Sequence, residues 1–164
     1  MPSGGPAYGF RPLTPDDEAM FKGWLAQPHI AGWWGDGDTE WALVSEDWDN
    51  PAIEMNIVTC DSAPFAYLQD YDAHHWPMPQ YADQPKDARA LDTFLGDPAY
   101  LGQGHGAGYL AARLSDLRRR HPVILTDPDP ANTRAIAAYK RAGFAPLDIR
   151  PSEDGDPVMV MRCS

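Results

Sequence analysis

Cysteine is scarce: Cys60 and Cys163 are the only two in 164 residues. Two thiols so far apart build no disulfide framework, and their spacing fits no zinc module, so both are expected as ordinary reduced thiols. Long apolar runs are missing as well. No stretch approaches the roughly 20 residues of a membrane-spanning helix. The opening Met-Pro-Ser-Gly-Gly-Pro has neither the basic nor the apolar region of a signal peptide. The expectation is a cytoplasmic protein with no membrane partner. Basic side chains are the third shortage: 13 Lys and Arg stand against 24 Asp and Glu, a formal net charge of -11. Such a field repels a phosphate backbone and argues against a nucleic-acid partner, whereas a cationic small molecule would be drawn in. Solubility alone accounts for the acidity equally well.

What is present suits one globular domain over residues 1–164. A hydrophobic fraction of 43% with six tryptophans supports a packed core, and 17 prolines with 14 glycines imply many turns. Tyr8 to Pro12 reads as a strand. Thr14-Pro15-Asp16-Asp17 is a helix start, and Met20, Phe21, Trp24 and Leu25 form the apolar stripe of the helix that follows, ended by Pro28. A tryptophan-bearing loop from Ile30 to Gly37 leads to a second helix over Thr39 to Asp47. Ala52 to Thr59 and Phe65 to Asp72 are strands joined by the turn Asp61-Ser-Ala-Pro64. Ala73 to Lys86 lacks periodicity and reads as a substrate-side loop. Ala90 to Leu95 returns to strand, Gly106 to Arg119 to helix, and Val123 to Thr126 to a short buried strand. Asn132 to Ala142 is a helix stopped by Gly143. Ala145 to Arg150 and Pro157 to Arg162 make a closing hairpin. The order is β-α-α-β-β-β-α-β-α-β-β, a mixed α/β fold.

Two segments carry chemistry. Leu101-Gly-Gln-Gly-His-Gly-Ala-Gly108 follows a strand and opens a helix. Its glycines let successive N–H groups converge, and the helix start adds its positive end, a cradle suited to a pyrophosphate. Asn132, Ala135, Tyr139, Gly143 and Phe144 form the second pattern, Asn-x-x-Ala-x-x-x-Tyr-x-x-x-Gly-Phe. In that order the two segments resemble the coenzyme A half of the GNAT-type N-acetyltransferases. Leu101 departs from the family, which carries Arg or Gln there. The resemblance implies the GNAT acyl-CoA N-acyltransferase fold, a central mixed β-sheet flanked by helices, in a single domain using acetyl-CoA. It implies cofactor contacts from Phe94, Leu95, Leu101, Gly102, Gln103, Gly104, His105, Gly106, Asn132, Ala135 and Tyr139, with Tyr139 the acid that protonates the departing thiolate.

On the acceptor side, Asp92 lies on the strand before the glycine segment, Asp127 follows the buried strand in Thr-Asp-Pro, and Trp33-Trp34-Gly35 forms the tryptophan loop. These resemble the aminoglycoside 6′-N-acetyltransferases. The run from Gly96 to Gly102 instead resembles the related hydroxamate-siderophore acyltransferases. By resemblance, Trp33, Trp34, Asp92 and Asp127 bind a cationic amine, and Asp92 is the base, directly or through water. Asp70, Tyr71 and Asp72 end a strand and are further candidates for the acceptor pocket. An alkylammonium must lose a proton before its nitrogen attacks a thioester, so a nearby carboxylate suits the chemistry. No metal is expected: His74 and His75 are adjacent and lack a third ligand at a suitable spacing. The alternatives are hydroxylamine or lysine acylation in siderophore assembly, and a non-catalytic acyl-CoA-binding regulatory module. A monomer or a homodimer suits any of them.

Overall fold

The structure, a computed structural model, describes residues 5–164; residues 1–4 of the opening segment lie outside the described residues. Among the described residues, seven strands and four helices follow one another: β1 (Tyr8–Pro12), α1 (Glu18–Leu25), α2 (Gly37–Glu46), β2 (Ile53–Cys60), β3 (Ala63–Asp72), β4 (Arg89–Leu95), α3 (His105–Leu117), β5 (Ile124–Thr126), α4 (Thr133–Ala142), β6 (Ala145–Pro151) and β7 (Pro157–Cys163). Short 3-10 turns cover Pro15–Asp17, Pro79–Tyr81 and Pro98–Tyr100. The strand order in the sheet is β1-β2-β3-β4-β5-β7-β6. β4 and β5 run parallel, while β1/β2, β5/β7 and β6/β7 are antiparallel. The closing hairpin therefore does not simply extend the sheet, because β7 inserts between β5 and β6. No helix among the described residues is long and apolar enough to cross a membrane.

The chain groups into two compact units. One holds residues through Asn50, Glu54–Gln69 and Thr93–Gln103. Its core is aromatic: Phe21, Trp24, Tyr67 and Phe94 are buried together with Leu13, Leu25, Ile30 and Ile57. The rings meet edge to face, Phe21 on Tyr67 at 5.0 Å and 88°, an arrangement that sets the positive edge of one ring on the negative face of the other. Helix entry is fixed by Asp17, which takes the Thr14 amide at 2.9 Å and a fork of bonds from Arg11 at 2.8 and 2.9 Å. The Arg11 guanidinium holds the Asp17 carboxyl below its ordinary range. The β2–β3 hairpin turns on Asp61 and Ser62 alone, both at positive φ, so Ala63 and Pro64 already belong to the strand.

The second unit holds Pro51–Ile53, Asp70–Asp92 and Gly104–Ser164. Tyr71, Tyr81, Ala90, Val123, Leu125 and Val160 form its core. Asn132 caps α4 by accepting from the Ala135 amide at 3.2 Å, and Gly143 ends the helix at φ 124°. The segment read as an unpatterned substrate-side loop is better anchored than its sequence suggests. Pro79 opens a 3-10 turn that buries Gln80 and Tyr81, and Arg150 ties the turn down by donating to the Gln80 carbonyl at 2.9 Å and to Asp83 at 2.7 Å.

Gly96 is the tightest point of the first unit. A Cβ there would overlap the Trp24 ring, which is itself buried. Gly96→Ala should therefore lower stability by about 3 kcal/mol, the upper range for overpacking. Chemical denaturation that shows an unchanged midpoint would refute this.

Candidate active site

The parallel ladder between β4 and β5 is two residue pairs long, Arg89↔Ile124 and Ala90↔Leu125. Two residues past the last pair on each strand stand Asp92 and Asp127. Parallel register thus delivers two carboxylates to the same end of two neighbouring strands, and β5 stops at Thr126 because Asp127 is followed by Pro128. The Thr126 hydroxyl donates to the Leu91 carbonyl at 3.0 Å, and the Met159 amide donates to Pro128 at 2.8 Å. The strand end is held from both flanks.

Phenols lie around the carboxylates. Tyr71 hydrogen-bonds Asp92 through its hydroxyl. Burial, then the charges of Asp92 and Asp127, push the Tyr71 phenol well above its ordinary value. Tyr81 is raised in the same way, by burial first and the Asp127 charge second. Its hydroxyl acts on Asp127 from close by, although it has no partner at full hydrogen-bond geometry. Gln80 donates from Nε2 to Asp127 Oδ2 at 3.0 Å. Asp127 itself is pushed up to about 7, by burial first and then by the charge of Asp92 and, more weakly, of Glu153; Gln80 and Tyr81 oppose the shift. Tyr139 is buried on α4, and burial lifts its phenol well above the ordinary value, with the Thr126 hydroxyl acting in the opposite sense. Such a phenol stays neutral and serves as a hydrogen-bond donor.

The helix that begins after Gly104 offers the anion-binding end. Gly104 is the N-cap of α3 at φ 80°, with open space where a Cβ would stand. Gly106 faces Ala138 of α4, so a methyl there would sit 3.8 Å from the Ala138 Cβ. The first-turn amides of an α-helix have no intrahelical acceptor, and the glycines here add no side chain over that turn. His105 and Ala135 are half-buried beside this start. In the other unit, Gly102 has φ 72° and open space at its Cβ position, and Leu101 is half-buried. The Gln103 side chain donates to the Ala99 carbonyl at 2.8 Å. Phe94 is a core residue there, and the Leu95 carbonyl accepts from His29 Nε2 at 2.8 Å. Trp34 packs edge-on against Phe94 at 5.0 Å, while Trp33 is exposed.

Residues 14–150 match the acetyltransferase (GNAT) domain family. The chain belongs to the GNAT acetyltransferases. It is 30% identical to the aminoglycoside N(6')-acetyltransferase type 1 of Klebsiella pneumoniae over 162 residues, 93% of this chain and 81% of that protein. It is 31% identical to the mycothiol acetyltransferase of Salinispora arenicola over 88% of this chain and 46% of that protein. Among solved structures, AAC(6')-Ib in complex with ribostamycin and coenzyme A superposes with a TM-score of 0.80 at 29% identity, covering 96% of this chain and 93% of that one. The mixed α/β fold and the family resemblance read from the sequence are both met. This GNAT acetyltransferase is an N-acetyltransferase that uses acetyl-CoA. The open, glycine-lined start of α3 fits the pyrophosphate of that donor.

One acceptor-side expectation needs correction. Asp70 lines no pocket: it is 0% exposed, and both its oxygens are taken. Arg89 Nε reaches Oδ1 at 3.0 Å, and Arg113 Nε and Nη2 reach Oδ2 at 3.0 and 2.8 Å. Burial excludes water, and two guanidiniums supply the compensation a buried carboxylate requires. Asp72 instead accepts the His74 amide at 2.9 Å, a local turn contact. His74 Nε2 approaches the carbonyls of Gln84 and Pro85. The sequence reading missed Gln80, Tyr81 and Glu153. No motif marks them, because each reaches the site from a turn distant in sequence.

Asp70→Asn should cost this acetyltransferase about 3–5 kcal/mol, the usual effect of removing one member of a buried ion network. A denaturation midpoint shifted by less than 1 kcal/mol, with unchanged slope, would contradict it. Asp127 predicts the opposite sign. The folded chain holds its proton to about 7 whereas an unfolded chain releases it near 3.8, so ionisation erodes stability as pH rises between those values. Asp127→Asn should raise Tm at pH 8 by about 2–4 °C, the shift that 1 kcal/mol produces at this size, and leave Tm at pH 4 unchanged.

Proposed function

We propose that the enzyme moves the acetyl group of acetyl-CoA directly to a primary amine of a cationic small molecule, an aminoglycoside-like 6′-amine, in the cytoplasm. The observation that carries this reading is the placement of Asp92 and Asp127 at matched positions past the β4–β5 ladder, with Asp127 ionising near 7. Neither Asp127 nor Glu153 is ion-paired to Lys or Arg among the described residues. An uncompensated acidic group is a site for a cation. The likeness to aminoglycoside N(6')-acetyltransferases over 93% of the chain supports the same acceptor class, and a role in antibiotic resistance would follow from it.

The chemistry then runs without an enzyme nucleophile. The ammonium group is drawn to the carboxylates and gives up one proton to them, directly or through water. Asp92 takes this proton, and Asp127 stands beside it as the second carboxylate that holds the cation. The amine nitrogen bonds to the thioester carbonyl carbon, and backbone N–H groups of β4 stabilise the oxyanion. As the C–S bond breaks, coenzyme A leaves as the thiol, the Tyr139 hydroxyl giving its proton to the sulfur and regaining one from the second proton shed by the nitrogen. The start of α3 at Gly104 and Gly106 holds the pyrophosphate, and Asn132 and Ala135 flank it.

Thiol release from acetyl-CoA with kanamycin or tobramycin is the direct test. Release should increase as pH rises through 7, and Asp92→Asn and Asp127→Asn should each lower kcat/KM by about 100-fold or more. Measurable CoA binding with no release across a broad amine panel would convert the reading to a binding module. Release confined to hydroxylamines or lysine would convert it to siderophore-type acylation.

A further inference from the structure

Gln80 was marked by no motif, yet it sits where two acidic segments meet. It is 1% exposed. Its Nε2 lies 3.0 Å from Asp127 Oδ2 and 3.2 and 3.4 Å from the two oxygens of Glu153. Asp127 follows β5 and Glu153 lies in the β6–β7 turn, so one amide bridges carboxylates from separate parts of the chain. An amide nitrogen carries two protons, one for each partner. The reversed amide would aim its carbonyl oxygen at two carboxylates, so the chemistry fixes the orientation. The opposite end of the side chain, Oε1, is buried without a partner, a desolvation cost that the bridge must offset. The backbone is pinned as well, since Arg150 donates to the Gln80 carbonyl at 2.9 Å.

The groups facing Asp127 are Asp92 from β4, Glu153 from the β6–β7 turn, the phenols of Tyr71, Tyr81 and Tyr139, and Gln80 itself. Arg150 of β6 spends its guanidinium on Asp83 and Asp148. Resting on the amine-acceptor reading above, we propose that Gln80 is a positioning residue that presets Asp127 and Glu153 as a spaced pair of carboxylates for a second ammonium group of a polycationic acceptor. The bridge restrains two like charges before the acceptor arrives, which lowers the cost of ordering them on binding. It also favours the ionised form of Asp127. Loss of the bridge therefore presents a more protonated Asp127 to an incoming cation at neutral pH, and the deficit fades once the pH is high enough to ionise it regardless.

The test uses Gln80→Met, which keeps length and loses both donors, and Gln80→His, which keeps one N–H donor. With a polycationic aminoglycoside, the Met variant should raise acceptor KM about tenfold at pH 6.5–7, the effect of one charge-assisted hydrogen bond. The difference should close toward pH 9, KM for acetyl-CoA should stay within twofold, and the His variant should fall between. A monoamine acceptor should show little change. An acceptor KM unchanged at every pH, or a loss independent of pH that affects both substrates alike, overturns the proposal. If Gln80→Met does not fold, the His variant carries the same comparison. Should the wild-type enzyme acetylate no polycationic amine, the acceptor reading fails by itself. The bridge is then read by carboxyl carbon NMR of Asp127 without acceptor: its titration midpoint must rise in the variant, and an unmoved midpoint refutes the role of Gln80.

Discussion

Repulsion between carboxylates organises the candidate site. The two-pair ladder of β4 and β5 ends at Ala90 and Leu125, and the next positions on the same face carry Asp92 and Asp127. Phenols and the Gln80 amide surround Asp127 there. Burial first, and then the charge of Asp92, hold a proton on Asp127 to about 7. The arrangement costs stability and leaves the site receptive to a cation or a proton, whichever arrives.

Asp70 shows the contrasting solution within the same unit. It is fully buried at the end of β3, yet Arg89 from β4 and Arg113 from α3 occupy both oxygens. Its charge is spent on joining a strand to the helix whose start holds the glycines. Asp127 keeps its charge uncommitted. Two aspartates at strand ends therefore divide the work of cohesion and chemistry, and the division is made by where the arginines stand.

That division could not be read from sequence. Local signals were legible: the Thr14–Asp17 helix start, the apolar stripe of α1 and the Gly143 stop follow from contacts within a few residues, and the structure has each of them. The glycine segment and the tyrosine pattern likewise led to the right family. The burial of Arg113 on α3 has no local sign in the sequence, because its partner lies 43 positions earlier. Gln80 and Glu153 were invisible for the same cause, being joined across 73 positions. The insertion of β7 beside β5 was equally hidden, since hairpin signals fix which strands are consecutive and leave open which neighbour the second one takes.

The place of β7 has a consequence for how the molecule is made. β5 pairs Ile124 with Cys163, Leu125 with Arg162 and Thr126 with Met161. A ribosome releases the Asp127 strand well before the strand that flanks it, and domains assemble as their segments emerge. The Asp127 end of β5 thus waits on the translation of Pro157–Cys163, while the glycine-led helix, already complete, is free to form. Biogenesis would build the start of α3 first and the carboxylate end of β5 last.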